Sequence, residues 1–181
     1  SASARQDNPA NTSQVFKWML EEARDLNDNY IKYEYVKDSG QIYPFKITYT
    51  GSGAIDGIFE IEFLREARPD ITKISRTGFP VITSYRISEI QTKVSGAWVK
   101  RYAITYTNGD NGKRSLIDTI TETGRDEMSG QALSLPPSNF DYQVPVRAIT
   151  ENASWSIPVY LSNGNDDTGA RLIDVNGDGL T

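Results

Sequence analysis

The chain of 181 residues contains no cysteine and no histidine. Without cysteine there are no disulfides and no thiolate nucleophile, and without histidine there is no Ser-His-Asp relay and little of the usual zinc-ligand set. It also lacks an apolar run near the roughly 18 residues that a membrane-spanning helix needs, and it has no basic-then-apolar leader. Its 19 basic residues are scattered among 24 acidic ones, giving a net charge of -5 and a pI of about 4.8. That balance leaves no basic patch for a phosphate backbone, so nucleic acid is not an expected partner.

What the chain has is aromatic and β-branched residues in alternation. Ten Tyr, six Phe and three Trp, with many Ile and Thr, suit half-buried pleated surfaces better than helices. Tyr43, Phe45, Ile47 and Tyr49 share one parity, as do Phe59, Ile61 and Phe63 opposite Glu60 and Glu62, and Trp98, Tyr102, Ile104 and Tyr106. Turn chemistry recurs between these runs, at Asp25 to Asn29, Asp38-Ser39-Gly40, Gly51 to Gly57, Ser95-Gly96 and Asn108 to Gly112. Strands at roughly 8- to 12-residue spacing predict an all-β fold, an antiparallel β-sandwich or stacked β-hairpins.

Four segments are read differently. Residues 1–12 are small, polar and without period, and are expected to be a disordered lead-in. Around Met19 to Arg24 helix-forming residues compete with the alternation of Phe16, Trp18 and Leu20. The following turn cluster favours a strand and a hairpin centred on Asp25 to Asn29, with Trp18 packed inward. Glu66 to Pro80 reads as an irregular loop, and Phe140 to Tyr142 as a short strand.

The β domain is expected to span 13–145. Beyond a boundary near Val144 to Ala153, Trp155 to Leu161 reads as a strand and the composition turns acidic and Gly-rich. There Asp174, Asn176 and Asp178 stand at every second position before Gly179, a spacing that curls oxygen ligands around one calcium ion. With the Leu180 carbonyl they supply about four of the six to eight oxygens that calcium takes. The chain stops inside this loop, and a piece of a longer protein is the expectation.

Arg101 to Tyr106, Arg114 to Glu122 and Leu135-Pro136-Pro137-Ser138-Asn139-Phe140-Asp141-Tyr142 together resemble SpvB-type domains, which occur in the B components of bacterial insecticidal toxin complexes. Gly169 to Thr181 resembles the opening of an FG-GAP or VCBS repeat, so residues 146–181 would begin a β-propeller-like blade. Asp25 to Tyr35 resembles a unit of the RHS/YD hairpin repeats. The resemblance implies a non-catalytic structural segment of a large secreted or cell-surface protein, with other segments of the same parent as partners and calcium bound in the intact parent.

Two other functions are weighed against this. A stripe of Trp98, Tyr102 and Tyr106 could stack sugars or meet a host-surface protein, although such stripes are usually packing. Glu60 and Glu62 match the Glu-x-Glu pair of ADP-ribosyltransferases known in some SpvB-like proteins, but the Ser-Thr-Ser strand of that family is absent and a solvated strand face explains the pair. A glycosidase needs two acids about 5 to 9.5 Å apart in a cleft, a spacing that so acidic a chain meets by chance. Gly51-Ser52-Gly53 and Asn108 to Gly112 precede no helix carrying Lys-Ser/Thr and read as hairpin turns, not phosphate loops.

Overall fold

A computed structural model describes residues 1–109, 114–126, 128–143, 162–164 and 166–169. The chain divides into two compact units, Ser1–Val144 and Pro145–Thr181. In the first unit eleven strands follow in order: β1 Arg5–Asn8, β2 Asn11–Trp18, β3 Glu22–Arg24, β4 Asn29–Asp38, β5 Gln41–Ser52, β6 Phe59–Ile74, β7 Val81–Val94, β8 Ala97–Asn108, β9 Ser115–Arg125, β10 Ala132–Ser134 and β11 Ser138–Asn139. In the second, β12 (Ser162–Asn163) pairs antiparallel with β13 (Asp166–Asp167). The described residues contain no helix.

The fold is all-β and antiparallel, as the alternation predicts. β1 and β2 form a separate hairpin, and the rest lie in one nine-stranded sheet of order β10-β9-β8-β7-β6-β5-β4-β3, with β11 also on β9. Of the two expected arrangements, the described residues form hairpins laid side by side. Tight turns set the register. Ser39 and Gly40 have φ of 48° and 79°, and Ser95 and Gly96 have 49° and 81°. Positive φ at both central residues is the turn that matches strand twist in a two-residue hairpin, and Gly adopts it at no steric cost.

The long hairpin tips leave the ladder and pack on one another. β5 pairs with β6 only over Lys46–Tyr49, and beyond that the β4–β5 tip reaches β7. Ile82 N–H donates to the Ser39 carbonyl (3.0 Å), Gln41 Nε2 to Thr83 Oγ1 (3.0 Å), and Ser84 N–H to the Tyr43 hydroxyl (2.9 Å). Most of the buried apolar side chains lie here, Ile42 and Tyr43 of β5, Phe79 in the β6–β7 turn and Val81 of β7, with Ala4 before β1; Tyr30, at the start of β4 opposite Gly51, is buried apart from them. Each large one stabilises the fold by about 1.5–3 kcal/mol.

Several expectations are corrected. Within residues 1–12, expected to be a disordered lead-in, β1 forms: Gln6 is buried and donates to the Gly40 carbonyl (2.7 Å), and buried Asp7 accepts from Lys37 Nζ (2.6 Å) and Arg5 Nε (2.8 Å). Polar residues without period hid a segment held by long-range hydrogen bonds. The hairpin at Asp25 to Asn29 is present, but its first arm is the short β3, which pairs Glu22–Arg24 with Tyr30–Lys32. β2 pairs with β1 instead, which leaves Phe16, Trp18 and Leu20 exposed by 53%, 66% and 55%. Trp18 is therefore not a core residue.

Glu66 to Pro80 is mostly strand. β6 pairs Ala67 with Tyr85, gives up four residues at Arg68 to Ile71, and re-enters at Thr72 opposite Thr83. Pro69 has no N–H for the ladder, which accounts for the excursion, and β-branched Thr72 and Ile74 resume it. The expected strand at Phe140 to Tyr142 falls two residues early, at Ser138–Asn139, with Phe140 N–H still bonded to the Asp118 carbonyl (2.9 Å). Trp155 to Leu161 and the expected blade opening from Ala170 to Thr181 lie outside the described residues.

Candidate interaction surface

Register sorts the side chains of the sheet into two unlike faces. One row runs Glu34, Lys46, Glu62, Gln91, Arg101, Thr123, Ser134 across seven strands. The adjacent row, one residue on, runs Tyr33, Ile47, Ile61, Thr92, Lys100. Since successive side chains point to opposite faces, one side of the sheet is charged and the other largely apolar.

The charged face is a ladder of ion pairs. Lys46 Nζ lies 3.1 Å from Glu34 and 3.4 Å from Glu60, and Lys93 pairs with Glu62. Glu60 and Glu62, the candidate transferase pair, thus each face a lysine of a neighbouring strand. Their side chains are 20–48% exposed, and pairs that water still reaches contribute about 0–1 kcal/mol each. Their clearer effect is to fix which face meets water.

The apolar face carries Tyr33, Ile47 and Ile61 in one row, Tyr49 stacked on Phe59 with ring centroids 5.5 Å apart, and Phe63, Ile90 and Tyr102 in another. All are half-buried. Apart from neighbouring strands, the main contacts between strands are β1 with β5, β5 with β7 and β6 with β9. The apolar rows keep part of their surface exposed among the described residues. Where β5 and β6 part, Val36, Tyr43, Phe45, Phe63, Leu64 and Tyr85 help to line a cleft of about 470 Å³. Arg65 lies 6.0 Å from the ring centroids of both Tyr43 and Phe45.

The expected stripe of Trp98, Tyr102 and Tyr106 does not form. Lys93 pairs with Trp98 and Thr92 with Lys100, so Val99 is an extra residue, and this bulge turns Trp98 to the side of Arg101. The guanidinium carbons of Arg101 and Arg125 lie 4.9 and 5.7 Å from the Trp98 ring centroid. On the opposite side Tyr102 stands beside Glu122, which pairs with Lys100 at 2.8 Å. Tyr106 is held apart by a hydrogen bond to the Ile87 carbonyl (2.5 Å) and by Arg86, 4.1 Å from its ring.

A feature that the sequence did not signal is the clasp made by the excursion of β6. Asp70, with its side chain 7% exposed, accepts from Arg68 Nε (2.9 Å) and Nη2 (2.7 Å) and from Ser115 N–H (2.9 Å) and Oγ (2.5 Å) at the start of β9. The Arg68 guanidinium above all, and the Ser115 bonds against the cost of burial, hold the Asp70 carboxyl well below the usual carboxylate range. Asp7 is lowered likewise, by Lys37 first and then Arg5. Nothing in an Arg-Pro-Asp triplet marks such a partner 45 residues away.

The calcium candidates Asp174, Asn176, Asp178 and Leu180 lie outside the described residues. Among the described residues no group of three or more His, Cys, Asp or Glu side chains could hold a metal ion.

No protein-family model and no curated protein matches the chain. Solved structures do. The crystal structure of TcdB2-TccC3 aligns with 79% of this chain and 10% of its own at a TM-score of 0.67 and 18% identity. The Photorhabdus luminescens Tc holotoxin pore with the TccC3-D651A mutation aligns with 79% and 9% at 0.66 and 19%, and the TcdB2-TccC3-Cdc42 crystal structure with 80% and 10% at 0.66 and 18%. The chain spans about a tenth of the length of these toxin chains, and what it shares with them is the fold.

Proposed function

We propose that this chain is a non-catalytic structural segment of a large secreted or surface-associated bacterial protein of the toxin-complex kind. The observation that carries the reading is the two-faced sheet: one side carries a ladder of ion pairs, while on the other the apolar Tyr33, Ile61, Phe63 and Tyr102 remain partly exposed. A soluble monomer rarely leaves so extended an apolar surface unless something docks there. The occupant fitting this reading is another segment of the same longer polypeptide, because the fold otherwise occurs as about a tenth of long toxin chains. The SpvB-like words at Arg101–Tyr106 and Leu135–Tyr142 fall on β8 and on the strap over β9, in keeping with that origin. The calcium loop at Asp174, Asn176, Asp178 and Leu180 belongs to the same proposal, as the start of the following module in the intact parent.

Hydroxyl-radical footprinting tests it. In a polypeptide extended on both sides, oxidation of Tyr33, Phe63 and Tyr102 should fall severalfold relative to the 181-residue chain, while Trp18 serves as an internal comparison. Equal oxidation in both would refute the scaffold reading. Binding on a glycan array that is lost in Trp98→Ala would favour the lectin-like alternative. NAD turnover lost in Glu62→Gln would favour an enzyme.

A further inference from the structure

Most cations on the body of the sheet have a carboxylate partner. Lys32 pairs with Asp56, Lys46 with Glu34 and Glu60, Arg86 with Glu66, Lys93 with Glu62 and Lys100 with Glu122. Arg101 and Arg125 do not: among the described residues each guanidinium contacts the Trp98 ring and no carboxylate. In a chain of net charge -5, two such cations share one indole. We propose that Trp98, Arg101 and Arg125 form a binding site for the carboxylate groups of an acidic protein segment.

The geometry gives the site a wall, a floor and an approach. A cavity of about 220 Å³ is lined by Ala97, Trp98, Val99, Arg125, Asp126 and Gly130. Gly130 leaves room beside Arg125, whose Nη2 lies 3.6 Å from where a Gly130 Cβ would be. Trp98 holds the guanidinium planes by cation–π contact, which leaves their N–H edges free to fork onto a carboxylate. Asp126 is the acidic residue of the lining, but its Oδ1 already accepts from Met128 N–H (3.1 Å), Ser129 N–H (2.6 Å) and Ser129 Oγ (2.8 Å). It anchors the turn.

A protein segment fits better than a free anion because the site adjoins a sheet edge. β10 is the last strand of the sheet order, and its Ala132 is paired with Arg125. A segment laid along that edge would put a side chain opposite Ala132 on the face of Arg125, about 10 Å from its backbone, two strand spacings away. Arginine and glutamate side chains together span that gap over the short Ala132. The bulge at Val99 gains a use in this arrangement, since it places Trp98 on the arginine side. The site rests on the unpaired cations and not on the scaffold reading.

The test is a titration of the 181-residue chain with hexaglutamate, followed by the indole N–H resonance of Trp98. Saturable movement of that resonance, weakened about tenfold in Arg125→Gln and in Arg101→Gln and unchanged in Arg76→Gln, is the expected result. Arg125→Lys, which keeps the charge and loses the fork, should fall between wild type and Arg125→Gln. No movement of the Trp98 resonance, equal weakening by Arg76→Gln, or inorganic phosphate binding as tightly as the peptide would overturn the assignment.

Discussion

Replacing Asp70 by Asn probes the strongest polar junction in the described fold. The substitution keeps the shape but removes the charge from a side chain that is 7% exposed and accepts from both Arg68 and Ser115. Arg68, itself with a side chain 17% exposed, would be left without its counter-charge. Breaking one partner of a buried pair costs about 3–5 kcal/mol. Ser115→Ala removes a single hydroxyl bond to a charged acceptor and should cost about 1.5–3 kcal/mol, because the backbone N–H bond survives. As both changes act on the same carboxylate, the double variant should fall short of their sum by about 0.5–3 kcal/mol. The sign of the pH dependence follows from the lowered carboxyl. Its contribution is complete above the unfolded value of 3.8 and declines as pH falls below it, by about 1.4 kcal/mol per pH unit until the folded-state carboxyl itself protonates. Urea unfolding of wild type and Asp70→Asn, followed by far-UV circular dichroism at several pH values from neutral to about 2.5, measures both effects. A difference below about 1 kcal/mol at neutral pH, or one that stays constant below pH 3.8, would show that the clasp is not the junction its geometry describes.

Three further outcomes are expected from the same unfolding assay. Gly57→Ala should cost about 1–3 kcal/mol, since the new Cβ would stand 1.8 Å from the Tyr49 carbonyl oxygen and backbone must move to admit it; an unchanged midpoint would contradict that approach. Trp18→Ala should change stability by less than about 1 kcal/mol, because an indole 66% exposed gives up little beyond its contact with Arg5, 5.6 Å from its ring. Glu62→Gln should also cost under about 1 kcal/mol, with the difference shrinking at high salt, as befits a half-exposed pair with Lys93.

The strands and turns from Asn29 to Thr123 were largely legible because local chemistry and tertiary pairing agree there. Ser39-Gly40 and Ser95-Gly96 specify the tight turns, and the alternation on either side fixes register. Legibility failed wherever the deciding partner is distant in sequence. Asp7 and Gln6 look like linker residues until Lys37 and Gly40 supply their bonds. Glu66 to Pro80 reads as a loop, yet Pro69 only lifts four residues out of β6, which resumes at Thr72. The bulge at Val99 leaves no trace in the alternation of Trp98, Tyr102 and Tyr106, and it decides which face Trp98 joins. The candidate site was thus half visible: its residue types were singled out, but their faces were not.

Alternation tells which side chains share a face, not whether anything lies over that face. Phe59, Ile61 and Phe63 alternate with Glu60 and Glu62 as they would in a sandwich, and a sandwich would bury them under a second sheet. Here the same pattern yields rows that remain half-buried. The buried apolar residues instead sit toward the strand ends: Ile42, Tyr43, Phe79 and Val81 where β5 leaves β6 and crosses to β7, and Tyr30 at the start of β4, its hydroxyl donating to the Ile55 carbonyl (2.9 Å). Between these ends the sheet is held by its ladder bonds and by cross-strand pairs such as Tyr49 on Phe59. A surface laid against its apolar rows would complete their burial, which is why that face, more than any single residue, is where a partner of this chain is to be sought.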